Sequence, residues 1–189
     1  VLARRDPINA IPYHNMGITF ISARKFDEAT ASFDKALSFS PDMVLARIFQ
    51  GFMAYVNGRY EASLEIMGRL SADTGNESYR LVAESMCYPE LGREAEGAAA
   101  LEKLEQDHGD DWAYVIGATH ARQGRTDEAL KWMERAYEED GSSALTGAYD
   151  DFMLDSLRDD PRWEALLAEA GVSPEQLAAI DFDVELPDK

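Results

Sequence analysis

The side chains in this sequence with chemical potential are three histidines, His14, His108 and His120, one cysteine, Cys87, and an acidic run at Asp150, Asp151, Asp155, Asp159 and Asp160. Their spacing limits what each could do. A zinc site on a helix needs ligands three or four residues apart, or a comparable cluster. No two of these histidines have that spacing. A nucleophilic cysteine needs a partner that lowers its thiol pKa. Cys87 instead sits where the apolar spacing predicts a helix interior, and a free cysteine there acts as a small buried hydrophobe. A lone cysteine also forms no internal disulfide. The acidic run could attract calcium, but it lacks the loop spacing with a central glycine and a terminal glutamate. Helix capping and solvation account for it better. No phosphate-binding loop or dinucleotide fingerprint is present, because the glycines fall elsewhere in the pattern. The expectation is therefore a protein with no catalytic residue, no metal site and no cofactor, and not an enzyme.

What positions these residues is a repeated helical unit. Residues 10–43 read as two amphipathic helices joined by a turn. The first carries Tyr13, Met16, Gly17 and Phe20, and the second carries Phe26, Ala29, Phe33, Ala36 and Leu37. The apolar spacing of three or four residues marks a helix with one buried face. Pro41 ends the second helix, since it lacks an N–H and clashes with a preceding turn. Gly17 and Ala29 suit a close helix crossing, where a larger side chain would hold the backbones apart.

The unit recurs. Gly17 is followed by Gly51, Ser85 and Gly117, at spacings of 34, 34 and 32 residues. Ala29 is followed by Ser63, Gly97 and Ala129 at the same spacings. The turn position holds Arg24, Gly58, Gly92 and Gly124, and glycine there fits a left-handed residue closing a helix. The expected repeats span 10–43, 44–77, 78–109 and 110–141. The third is degenerate: Pro89 predicts a kinked or early-ending first helix. A link at Gln106–Gly109 should separate it from the fourth.

This pattern resembles a tetratricopeptide (TPR) repeat, with its 34-residue period. The resemblance implies an all-α, right-handed TPR superhelix, an α-solenoid of helix-turn-helix repeats. It also implies that the first helix of each repeat lines a concave groove that binds a partner. On that register the groove residues are Ile11, His14 and Ile18 from repeat one, and Leu45, Ile48, Phe49, Phe52 and Tyr55 from repeat two. Repeat three offers Tyr79, Val82 and Met86, and repeat four offers Tyr114 and Arg122. The groove is apolar and aromatic. The Lys, Asn and Arg with which some TPR proteins clamp a peptide carboxylate are absent: the matching places hold His14, Ile18, Phe49, Leu45 or Tyr79, and Ala83.

Beyond Gly141 the repeat fails. Residues 142–180 predict a helical C-terminal cap, with Asp160 capping a helix that starts at Pro161 and Ser173 capping one that starts at Pro174. Leu157, Trp163 and Leu166 would cover the last hydrophobic face of the stack. Residues 181–189 read as an extended acidic tail whose Phe182, Val184 and Leu186 form an apolar row. At the other end, Pro7 lies 34 residues before Pro41, so residues 1–9 read as the end of an upstream repeat. That register, and a first residue other than Met, suggest a piece of a longer protein. The tail, SLRDDPRWEALLAEAGVSPEQLAAIDFDVELP, and the opening RRDPINAIPYHNMG also resemble the TPR regions of bacterial multidomain regulators. In those proteins a TolB-like region and TPRs follow a nucleotide cyclase or a winged-helix domain. That resemblance implies a signalling role in the bacterial cytoplasm or periplasm.

Composition agrees with a non-catalytic interaction module. Apolar residues make up 46% of the chain, too many for a disordered one. No apolar run is long enough to insert in a membrane. With 18 Lys plus Arg against 36 Asp plus Glu, a phosphate backbone would be repelled, so nucleic acid is not an expected partner. An exposed apolar groove marks an interaction site. Its candidate occupants are a segment of a partner protein, a second copy of the chain in a homodimer, and the chain's own tail. The alternative function is a ligand-sensing domain whose groove holds a small apolar effector and controls an attached output domain.

Overall fold

A computed structural model describes residues 9–180 as helices and turns, with no strand among them. Seven longer helices come first: α1 (Ala10–Ser22), α2 (Phe26–Phe39), α3 (Val44–Val56), α4 (Tyr60–Thr74), α5 (Ser78–Glu90), α6 (Glu94–Arg122) and α7 (Thr126–Asp140). Three short 3-10 segments follow, Gly141–Leu145, Ala148–Asp150 and Phe152–Leu157, and then α8 (Pro161–Glu169) and α9 (Pro174–Ala178). Each of the first seven helices packs on the next in sequence, the nearest-neighbour pattern of a helical solenoid.

The crossing glycines are tight, and the nearest obstacle is a side chain, joined at Gly117 by the facing Ala129 carbonyl at 3.2 Å. A Cβ on Gly17 would lie 2.5 Å from the Phe33 ring. One on Gly51 would lie 2.7 Å from Met67, and one on Gly117 would lie 2.9 Å from Met133. The large residue of each second helix therefore seats on the glycine of the first. At the second small position, the buried Ser63 hydroxyl donates to the Gly51 carbonyl at 2.9 Å and ties the two helices together.

Pro89 neither kinks nor shortens its helix, contrary to the expectation. The helix α5 ends at Glu90, the same repeat place as Ser22 and Val56. Proline in the last turn leaves the Ser85 carbonyl without its helical donor. The Gln123 amide fills that vacancy, donating to Ser85 O at 2.9 Å from the next repeat. Gly97 then accommodates the proline, since a Cβ there would lie 2.6 Å from its ring. Nor is this helix loosely held: it buries seven of its residues, against three for α1 and five for α3.

The expected link at Gln106–Gly109 is helical. The break comes later, at Trp112, whose φ of −127° and ψ of 18° bend α6 into two arms. This junction lacks a proline like Pro41, so nothing stops the helix earlier. Gly109 is buried at a crossing, where a Cβ would approach Trp132 at 3.0 Å.

The turn before α2 departs from its counterparts. Gly58, Gly92 and Gly124 take left-handed φ values of 68–74°, which glycine tolerates. Arg24 adopts φ 60° with a full side chain, the one non-glycine residue with positive φ among those described. That conformation costs about 1–2 kcal/mol.

The C-terminal caps form as their residues dictate. Asp160 accepts from the Arg162 N–H at the start of α8. Ser173 and Gln176 close a capping box on α9. Leu157, Trp163 and Leu166 are buried against the repeats. Within the expected helical cap, however, residues 142–157 form no α-helix. They form the three 3-10 segments and turn back across the array, with Phe152–Leu157 packing on α6.

Candidate functional site

The returning segment defines the site. Its anchors reach from the last repeat to the first. The Ser156 hydroxyl donates to the Ala121 carbonyl at 2.7 Å. Tyr114 donates its phenolic proton to Asp151 at 2.7 Å, and the Met153 N–H donates to the same carboxylate. At the far end, the Phe152 ring stands edge-on to Phe26 at 5.2 Å. The Arg24 guanidinium grips both oxygens of Asp155, each at 2.6 Å. Arg24 thus has a function that explains its strained turn: the left-handed residue of repeat one is also the clasp for the chain's C-terminal part.

Charge at the clasp follows from these contacts. The Arg24 hydrogen bond holds the Asp155 carboxyl below the usual carboxylate range, with Arg158 helping. Asp155 correspondingly raises the pKa of Arg24. Burial, together with the neighbouring Asp151, pushes the Tyr114 hydroxyl upward, so it stays protonated and donates.

Between this segment and helices α1, α3 and the second arm of α6 lies a cavity of about 460 Å³. Its walls are mainly apolar: Ile18 and Ile21 from α1, Phe49 and Phe52 from α3, Val115 from α6, and Phe152 from the returning segment. Tyr114 also lines it. Asp150 and Asp151 supply the charged groups of the lining. The size matches that of pockets for drug-sized ligands or for a few partner side chains.

Of the residues expected in the groove, Ile18, Phe49, Phe52 and Tyr114 line this cavity. The others lie elsewhere. Tyr55, Val82 and Met86 are buried in the core cluster that also holds Leu154 and Leu157 of the returning segment, so they are withdrawn from any partner. His14 is buried between Phe33 and Phe49, each ring centroid 5.7 Å away. Ile48 and Tyr79 pack on the Met67–Leu70–Ala83 cluster. Arg122 is exposed and donates to the Tyr55 hydroxyl at 3.4 Å. Ile11 and Leu45, 55% and 56% exposed, stand at equivalent helix starts outside the cavity.

Register missed Phe152, Met153, Asp150 and Asp151, which come from beyond the repeats. Their signals were the apolar run of Phe152, Met153 and Leu154 bounded by Asp150, Asp151 and Asp155, and the arginine in place of glycine at position 24. The expected tail row of Phe182, Val184 and Leu186 lies outside the described residues, as does the expected upstream helix end. Within those described, residues 144–153 are the part of the chain's own C-terminal region that reaches the inner cavity.

Elsewhere, reactive groups are screened by packing. Cys87 is fully buried and its thiol is pushed up to about 11 by desolvation. His120 contacts Glu105 at 2.6 Å inside the array, where burial lowers its pKa. Among the described residues, no group of three metal-ligating side chains converges and no helix is long and apolar enough to cross a membrane.

The family model for the tetratricopeptide repeat matches residues 14–76 and 90–144. The crystal structure of MamA superimposes with a TM-score of 0.51 at 19% identity, covering 76% of this chain and 85% of that one. A second solved structure, YrrB, described as a TPR protein with an unusual peptide-binding site, gives a TM-score of 0.48 at 19% identity, covering 89% and 88%. No curated protein matches the chain.

Proposed function

Because this chain belongs to the tetratricopeptide repeat family, we propose that it is a non-catalytic interaction module that seats an apolar segment of a partner protein in its inner cavity. The observation that carries this reading is the cavity wall of Ile18, Ile21, Phe49 and Phe52. An apolar concavity on the inner face of a solenoid gains free energy when a partner removes it from water, at roughly 25 cal/mol per Å² buried. The partner binds by placing one or two large apolar side chains there as anchors. YrrB, a solved TPR structure, is described as having a peptide-binding site. The sequence resemblance of the tail supports a wider setting: the module would be the regulatory part of a bacterial signalling protein with a separate output domain.

A displayed library of random peptides, selected on the immobilised chain, tests the reading. Peptides with an apolar anchor should be enriched on the native chain. They should fail to bind Phe52→Ser, whose helical circular dichroism should be unchanged because Phe52 is only half-buried. No enrichment, or equal binding to Phe52→Ser, would overturn it. Tyr55→Ser is the contrasting variant: Tyr55 is 5% exposed, so its loss should unfold the protein rather than only silence binding.

One observation favours a second reading, in which a small apolar effector fills the cavity. Residues 144–153 wall it on one side and give it the dimensions of a ligand pocket. Native mass spectrometry would then find a copurifying adduct that Phe52→Ser lacks.

A further inference from the structure

Among the described residues, the two carboxylates of the cavity lining form no direct ion pair. Asp150 has no ion pair among the described residues. Asp151 accepts only neutral donors, the Tyr114 hydroxyl and the Met153 N–H. The arginines of the neighbourhood are committed elsewhere. Arg24 and Arg158 both bind Asp155, and Arg122 donates to Tyr55. Among the described residues, no lysine or arginine lines the cavity. An apolar recess is therefore bordered by two carboxylates without a direct ion pair among the described residues, where the nearby Arg24 is held by Asp155 and acts on them only at longer range, on a chain whose formal net charge is −18.

From this we infer that the partner segment is basic as well as apolar: a large apolar side chain enters between Phe49, Phe52 and Phe152, and a lysine or arginine beside it pairs with Asp150 and Asp151. The inference rests on the proposed binding of a partner segment and specifies its chemistry. A recess with apolar walls and unpaired acids at its edge rejects an acidic segment, because a like charge brought to that edge would have no counter-charge to meet. It also disfavours a purely apolar one, since burying Asp150 and Asp151 without a partner costs free energy. A cation on the segment removes both penalties and speeds encounter through long-range attraction. The anchor and the charge must be close in sequence, because Asp151 is held against the cavity by Tyr114 and by the N–H of Met153.

The experiment sequences the peptides enriched from the displayed library on the native chain and on Asp150→Asn/Asp151→Asn. Asparagine removes the charge and keeps one acceptor oxygen for the Met153 N–H, while its NH2 faces the Tyr114 hydroxyl, which can turn to accept. On the native chain, enriched peptides should carry Lys or Arg within about two residues of the anchor, and each should lose affinity by about fivefold for each carboxylate removed. On the double variant the cation preference should vanish while the apolar anchor persists. If enriched peptides carry an anchor without adjacent cations, or acids beside it, the inference is overturned and the binding function stands. If the cation preference survives on the double variant, it reflects the overall charge of the chain, and the local assignment is overturned. If no peptide is enriched on either protein, the binding function itself fails. Should the double variant unfold, Asp150→Asn alone gives the same comparison, since Asp150 is exposed and outside the Tyr114 contact.

Discussion

Replacing Gly17 by alanine tests whether side-chain seating sets the geometry of the first helix pair. The added methyl would lie 2.5, 2.6 and 2.9 Å from three ring atoms of Phe33, where ordinary contact begins near 3.4 Å. The ring must retreat by roughly 0.9 Å, the difference between 3.4 and 2.5 Å. It has little room to do so. Phe33 is fully buried, lies flat on Phe49 at 5.2 Å, and has His14 at its side. Overpacking of this kind costs about 1–3 kcal/mol. Alanine's better helix propensity returns up to about 1 kcal/mol. The expected net loss is about 0–2 kcal/mol. Gly68 is the control, a helix-interior glycine of α4 with nothing within 4 Å of its would-be Cβ. There the same substitution should gain about 0.5–1 kcal/mol. Urea denaturation followed by circular dichroism reads both, through midpoints compared at constant slope. The two variants should fall on opposite sides of the native protein. If Gly17→Ala is as stabilising as Gly68→Ala, Phe33 is free to move and the seating argument fails. A displaced Phe33 also pushes Phe49, a cavity wall, so Gly17→Ala should weaken peptide binding although Gly17 does not line the cavity.

Gln123→Ala should cost about 1–3 kcal/mol by leaving the Ser85 carbonyl, on a fully buried residue, without a donor; an unchanged urea midpoint would show that water replaces it. Burial lowers the pKa of both His14 and His120, so the folded chain keeps them neutral while the unfolded chain takes up protons below about pH 6.5. These residues therefore subtract stability as pH falls through that value and contribute nothing above it. His14→Gln/His120→Gln should flatten the loss of stability between about pH 7 and pH 5, and an unaltered slope would refute it. Arg24→Gly removes the clasp but also relieves about 1 kcal/mol of backbone strain, whereas Asp155→Asn removes the clasp and the Arg158 ion pair with no such relief. The second variant should be the less stable. A double-mutant cycle should give a coupling of about 0.5–1 kcal/mol, modest because both partners are partly exposed, and a coupling of zero would dissolve the clasp.

The helix pairs were legible because Gly17, Gly51, Ser85 and Gly117 recur in register with an apolar face. Pro89 misled because its remedy, the Gln123 amide, comes from another repeat and leaves no local mark. Trp112 carries no breaker residue either, so the true junction of α6 was invisible in the sequence. Within the cavity, Ile18, Phe49, Phe52 and Tyr114 could be placed by register alone, since helical periodicity fixes which way they face. Tyr55, Val82 and Met86 face inward too, but they are buried in a core that also takes in Leu154 and Leu157, and the extent of that core depends on where the chain's later part returns. Periodicity describes what a helix presents and not what comes to cover it. Arg24 was the residue that held this information, as the single turn position to give up glycine.

A row of repeats behaves mechanically as a spring, since each coil touches only its neighbours and small changes in pitch add along the row. The bond between Arg24 and Asp155 joins residues from opposite ends of that row. It turns the spring into a loop fastened by a weak catch, because an ion pair this exposed holds with only about 0.5–1 kcal/mol. A strain in pitch anywhere between the two residues is therefore felt at the catch, and opening the catch frees the row to change pitch at small cost.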